Sequence, residues 1–372
     1  MTLLVACGGP PVVPSESPLD LAASHYRRGM QYLDIGQLRP ALEAFGRADA
    51  LEPSYPGGKV GKALVAAVQG DFWAARKGLK KAIHQDNDFV DAFVVQGRVA
   101  VMEGLERDYS NKAWLDEALR AFNKAIRLAP EKGAGYYYKG QANLQAGELI
   151  LARKAFTQIL ELNIGPWMEK AQGQIKRIQE IERVTPGSTL GKQIALKEQI
   201  TRAELAVLLL EELKLAVLVQ QRRPNKNKLE FRPPTTKSLH TDVHAQDIKW
   251  TWAKGWIEEI LLLGITGLEL FPDQTFQPQK PISRANYALV NQSILELITA
   301  DSTLATKYVG EDSRFPDLRG DYYAYNAIAL NIERGIMGVD VVSGLFYPEE
   351  SVSGIEALLI IRQLQNAVRM EF

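Results

Sequence analysis

The chain has 372 residues, 46% of them hydrophobic and 24% charged, which is too long for one ordinary core and fits two or three folded domains. Lysine plus arginine and aspartate plus glutamate both number 44, so no global charge marks the chain for nucleic acid. One cysteine, Cys7, excludes a disulfide framework within these residues, and no run approaches the roughly eighteen apolar residues of a spanning helix.

The first stretch reads MTLLVACGGPPVVPSESPLD. Leu4-Val5-Ala6-Cys7 before Gly8 resembles the lipobox of bacterial lipoproteins. That resemblance implies a lipid on the Cys7 sulfur and attachment to a membrane, and Gly8, in place of a retaining Asp, points to the outer membrane. Residues 8–18, rich in Pro, Gly and Ser, suit a flexible tether, so 1–21 is assigned to start and tether. Only six residues precede Cys7 and none is basic, whereas an export signal has a charged region and a longer apolar run. Two readings stay open: the true start lies upstream of Met1, or Cys7 is an idle thiol.

A register then repeats. Gly29, Ala63, Gly97 and Gly140 recur 34, 34 and 43 residues apart, in step with Gly36, Gly70, Gly104 and Gly147. Ala41, Ala75, Ala118 and Ala152 keep the same spacing, as do Phe45, Leu79, Phe122 and Phe156. This pattern resembles the tetratricopeptide repeat family, with four repeats over about 22–166 and a closing helix from Trp167 to about Val184. A small residue at the first position lets two helices approach, and the second glycine is expected to stop the first helix of each pair. The nine extra residues between Gly104 and Ala118 are assigned to an extended helix with a surface loop. The resemblance implies a polypeptide partner on the concave face, presented by Tyr26, Arg27, Met30, Arg98, Met102, Tyr137, Tyr138 and Gln141. Tyr and Met give adaptable contact area, and Arg forks onto carboxylates.

Val184-Thr185-Pro186-Gly187-Ser188 breaks the helical pattern and sets the expected boundary, with 22–184 before it and 185–372 after. Beyond it, Ile200-Thr201-Arg202-Ala203-Glu204 returns as ISRAN at 282–286 and as VSGIE at 352–356. The second and third copies follow parallel runs of helix, glycine turn and Phe/Pro loop. This is similar to S-layer homology domains, which fix bacterial proteins to cell-wall polymers. The resemblance covers a partial unit to about 220, a basic loop at 220–237, and full units at about 240–298 and 312–368. The opening helix of the partial unit is either degenerate or supplied by the Trp167–Val184 helix.

Thr201-x-x-Glu204 and Ser353-x-x-Glu356 are expected capping boxes, with Ser283-x-x-Asn286 a weakened one. A cation in the first helical turn opposes the helix dipole at about 0.3–1 kcal/mol, so Arg202 and Arg284 call for a compensating anion. That anion is either a ligand or an acid on a neighbouring unit. In the family the motif arginine helps bind an anionic wall glycan. The resemblance therefore implies Arg202 and Arg284 as glycan contacts, with Trp252 and Asp247 as weaker candidates. Gly354 takes the arginine position in the third copy, so at most two grooves are expected to bind. The 220–237 stretch carries six basic residues and one acid and is read as a solvated loop.

No phosphate loop, dinucleotide fingerprint or nucleophile elbow is present, and His25, His84, His240 and His244 lack metal-ligand spacing. The expectation is an all-α protein, a tetratricopeptide solenoid joined to a mostly helical S-layer homology domain of three pseudo-repeats. It is expected to be a non-enzymatic envelope protein without cofactor or metal, binding a wall polymer or peptidoglycan and recruiting a protein partner. The alternative is an assembly or secretion cofactor whose second half binds protein instead of glycan.

Overall fold

In the computed structural model, residues 20–107, 112–222 and 245–370 are described. Cys7, the tether up to Leu19, His240, His244 and the basic stretch beyond Arg222 lie outside them. The chain divides into two units, Met1–Ile178 and Gln179–Phe372, so the sequence break at 184–188 falls inside the second.

The first unit is a row of helical hairpins: α1 (Ala22–Asp34) with α2 (Leu38–Leu51), α3 (Gly57–Val68) with α4 (Phe72–Gln85), α5 (Val90–Arg107) with α6 (Ala113–Leu128), and α7 (Gly133–Gln145) with α8 (Leu149–Glu161). A final helix, α9 (Gly165–Arg183), passes from the first unit into the second. No single hairpin can bury its apolar face, so stacked neighbours supply the core. Within each hairpin the small and large members of the register meet. A Cβ on Gly29, Gly97 or Gly140 would lie 2.4, 2.4 or 2.6 Å from the ring of Phe45, Phe122 or Phe156. In the second hairpin both partners change together, to Ala63 and Leu79, and both are buried.

Gly36, Gly70 and Gly147 turn the chain with φ of +74°, +82° and +74°, as a helix-stopping glycine should. Gly104 does not. It sits inside α5, where a Cβ would come within 2.2 Å of Trp114. The expected stop is corrected to a close-approach site, because the additional residues carry α5 past the point where the other hairpins turn.

The second unit contains α10 (Thr189–Ile194), α11 (Arg202–Glu211), α12 (Leu215–Arg222), α13 (Lys254–Leu263), α14 (Arg284–Thr299), α15 (Tyr325–Glu333) and α16 (Gly354–Met370), with a 3-10 turn at Ser302–Ala305. The three sequence copies meet at its centre. Ile282 N–H donates to Ile200 O at 3.0 Å, Val352 N–H to Ile282 O at 3.0 Å, and Ile200 N–H to Val352 O at 2.9 Å. Three backbone hydrogen bonds thus close a ring, and the three side chains at its corners are fully buried. The partial unit has its own short opening helix, α10, packed on α11. Its connection from helix to ring, 195–199, is far shorter than the corresponding 264–281 and 334–351.

Candidate functional site

A groove of about 820 Å³ opens along the third and fourth hairpins and α9 of the first unit. Arg98, Met102, Tyr137, Tyr138 and Gln141 line it as expected from sequence. Tyr137 packs 5.1 Å from Trp167 and 5.4 Å from Tyr138, and Gln141 Nε2 donates to the Tyr137 hydroxyl at 3.1 Å. The Arg98 guanidinium lies 4.5 Å over the Tyr138 ring. Burial raises the Tyr138 pKa, and Arg98 opposes that shift. Three expected groove residues lie elsewhere. Tyr26 is buried among Phe45, Tyr55 and Phe89, and burial followed by the Asp91 carboxylate holds its hydroxyl pKa well above the ordinary value. Met30 packs into the cores of the first and second hairpins, and Arg27 is exposed, with its guanidinium on the Ser24 hydroxyl. Sequence reasoning missed the wall supplied by α9, including Glu169, Lys170 and Gln174, because the repeat register ends before it.

In the second unit, the ring positions Arg202. The first two N–H groups of α11 are already taken: Arg202 N–H donates to Lys280 O at 2.9 Å and Ala203 N–H to Pro278 O at 3.1 Å. Thr201 and Glu204 complete a two-way capping box. Arg202 itself is only 4% exposed. Its Nε, Nη1 and Nη2 donate to Phe276 O at 2.8 Å, Gly267 O at 2.7 Å and Glu269 O at 2.7 Å. The rings of Phe271 and Phe276 flank it at 4.8 and 4.7 Å. Burial lowers its pKa, opposed by Glu269 and Asp247. Carbonyl oxygens and aromatic faces therefore supply the negative charge that the sequence left unassigned.

Arg284 repeats the arrangement one unit later. Arg284 N–H and Ala285 N–H donate to Glu350 O and Pro348 O, both at 2.9 Å. Its Nε donates to Phe346 O at 2.8 Å, Nη2 to Gly338 O at 2.6 Å, and Nη1 to the Glu356 carboxylate. Glu356 is thereby drawn away from its own helix start, so the expected Ser353–Glu356 capping box is only half made: Glu356 N–H donates to Ser353 Oγ at 3.2 Å. At the third copy, Gly354 N–H donates to Lys197 O, and a Cβ there would lie 1.9 Å from Ile194 O. The shortened 195–199 connection brings backbone to the place where the other copies put an arginine. A side chain at 354 has neither room nor a long loop to hold.

Asp247 holds the long loop of its own unit, accepting from Phe276 N–H and Gln277 N–H, both at 2.8 Å. Asp317 does the same, with Phe346 N–H at 3.0 Å and Tyr347 N–H at 2.7 Å. Gln277 and Tyr347 have φ of +54° and +57°, left-handed conformations that these bonds stabilise. Each long loop is thus gripped by an aspartate from its own unit and an arginine from the preceding copy. Residues 247–288 and 314–358 match the S-layer homology domain.

No curated protein matches the chain. A solved structure, described as that of a thermophilic TPR protein in Thermus thermophilus, is 22% identical with a TM-score of 0.35, covering 53% of this chain and 95% of that one. The 34-residue register, the hairpin order and the Gly–Phe contacts of the first unit resemble those of a tetratricopeptide array. Arg202, Arg284 and Asp247 hold backbone of the S-layer homology segments. Of the two partners expected for the arginines, a ligand or a neighbouring acid, Arg284 meets the acid Glu356 while Arg202 meets carbonyl groups. Trp252 is half-buried, with its ring 6.0 Å from that of Trp256, whose Nε1 donates to Glu211 Oε1 at 3.0 Å. Tyr323 holds the equivalent place before α15, largely exposed, its hydroxyl on Asn286 Oδ1 at 3.2 Å. Sequence reasoning did not single Tyr323 out, because tyrosine there replaces tryptophan and stands one residue farther from Asp317 than Trp252 does from Asp247.

Proposed function

We propose that the chain is a non-enzymatic cell-envelope protein: the array recruits a polypeptide partner, and the S-layer homology unit associates with an anionic wall polymer or peptidoglycan. The observation that carries this reading is the pair of S-layer homology segments whose long loops are each held by an arginine and an aspartate. Arg202 and Arg284 position those loops, and polymer contact falls to outward aromatic groups, chiefly Trp252 and Tyr323. The full chain is expected to co-sediment with purified sacculi, and Trp252→Ala with Tyr323→Ala is expected to weaken this several-fold. Failure of the folded wild type to pellet would sink the polymer half of the reading.

A lipid on Cys7 would join this assembly to a membrane, in keeping with the lipobox-like Leu4–Cys7 stretch. Incorporation of a palmitate analogue in bacterial cells, lost in Cys7→Ser, is the expected result; unchanged labelling would remove the anchor. One observation favours a protein partner for the second half instead. Val341 and Val342 stand 98% and 97% exposed on a turn fixed by the Asp340 carboxylate. A photo-crosslinker at Val341 that yields protein adducts in envelope preparations, while sacculi fail to bind the chain, would support that second reading.

A further inference from the structure

We propose that the outer face of α4 is a docking surface for an anionic phospholipid membrane, separate from the groove. Ala75, Leu79 and Ala82 bury one side of this helix, which packs on α3 and α5. The opposite side carries Trp73, Lys77, Lys80, Lys81 and His84 at i, i+4, i+7, i+8 and i+11, a stripe about 16 Å long. All five are exposed, and α4 contains no acidic residue. Among the described residues no carboxylate pairs with these lysines, and Glu103 and Glu117, which reach α4, both hold Arg76. Lysines elsewhere on the array are matched, Lys62 by Asp49 and Lys112 by Glu148. Stacking does not call for the charge, since the register places of Lys80 and Lys81 are Thr157 and Gln158 in α8, and that of Lys77 is Glu43 in α2. On α6 the places of Lys77, Lys81 and His84 are again basic, as Arg120, Lys124 and Arg127.

Two apolar features beside the charge favour a lipid surface over a nucleic acid. Trp73 is 72% exposed, and the Lys77 ammonium lies 4.5 Å from the centre of its ring. An indole on a lysine-bearing helix face suits the boundary between headgroups and acyl chains, where the ring sinks and the ammonium groups stay with the phosphates. A recess of about 340 Å³ opens beside the stripe and shares Lys80 with it. Arg76, Lys80 and Gln96 stand there around Leu79, Ile83 and Val99, on the far side of α5 from the groove. Polar groups around an apolar floor fit a phosphate headgroup together with the first carbons of its chains, whereas a purely polar polyanion would leave that floor unused.

The test uses the full chain with Cys7→Ser, so that no lipid on the cysteine contributes, and sedimentation with vesicles of phosphatidylcholine alone or mixed with phosphatidylglycerol. The mixed vesicles are expected to bind at least about tenfold more tightly, an advantage that shrinks as salt is raised. Lys77→Gln, Lys80→Gln and Lys81→Gln together are expected to bring the two vesicle types within about threefold. Trp73→Ala is expected to weaken binding to the mixed vesicles several-fold at low and high salt alike. Lys214→Gln with Lys254→Gln and Lys307→Gln removes the same charge from the second unit and is expected to leave the preference unchanged. Circular dichroism melting checks that each variant folds. Equal binding to the two vesicle types, or an anionic preference that survives loss of the α4 lysines, overturns the proposal. A random-sequence DNA duplex that binds as tightly as the mixed vesicles, through the same lysines, overturns it too, because the face would then be a general polyanion site.

Discussion

Within one hairpin, a register glycine faces a phenylalanine ring three times in the array, and the hairpin that departs from it exchanges both residues, for Ala63 and Leu79. The contact is therefore between volumes, and it can be traded. Gly97→Ala is expected to destabilise by about 1–3 kcal/mol, because a methyl group would enter the Phe122 ring. Adding Phe122→Leu is expected to recover part of that loss in a thermal melt. A double variant no more stable than Gly97→Ala alone would sink the volume argument. Gly354→Ala meets a harder obstacle, the backbone at Ile194 O, and about 2–3 kcal/mol of destabilisation is expected from urea unfolding. The cap formed by Thr201 and Glu204 could be read from five letters because its partners are local. The absent arginine at 354 could not be explained that way: its cause is a shortened connection more than 150 residues earlier in the chain.

Elements of the array are tied by charge as well as by packing. Arg76 on α4 reaches Glu103 on α5 and Glu117 on α6. The hydrogen bond from Arg76 is the largest cause holding the Glu117 carboxyl below its usual range, against the opposing effect of desolvation. A depressed folded-state pKa gives stability that is present above the unfolded carboxylate pKa and lost as pH falls through the folded value. The partners are partly exposed, so the contribution is on the order of 1 kcal/mol or less. Arg76→Gln is expected to be less stable than wild type at pH 7, with the difference shrinking as the carboxylates protonate. A gap that persists undiminished at low pH would show that packing, not the ion pair, was lost. Helix periods were legible here, but the length of α5 was only partly so, because Gly104 serves equally well as a stop or as a seat for Trp114, and the sequence does not say which.

At the scale of the whole molecule, the order of a hairpin array before an S-layer homology segment was legible, since repeats announce themselves by spacing. The closure of the second unit was not, because a backbone ring depends on which carbonyl faces which N–H. That closure makes the three junctions interdependent. Arg202→Ala would leave the carbonyls of Gly267, Glu269 and Phe276 without their donor, the last of them on a buried residue, and is expected to cost on the order of 3 kcal/mol. Hydrogen exchange is expected to quicken at the amides of Ile200, Ile282 and Val352 together, although only one junction is altered. Faster exchange confined to the Arg202 junction would contradict this.

The two halves also differ in how they can change length. An open row of hairpins accepts another hairpin at its end, because each meets only its neighbours. A three-cornered ring has no end. With Ile200, Ile282 and Val352 each giving one bond and taking one, a fourth copy would leave a donor and an acceptor facing nothing, and a deleted copy would leave a gap. Duplication can therefore lengthen the first half freely, whereas the second can vary only in the loops hung between its corners. The first copy, reduced to a short helix and a brief connection, shows how far such trimming can go while the count stays at three.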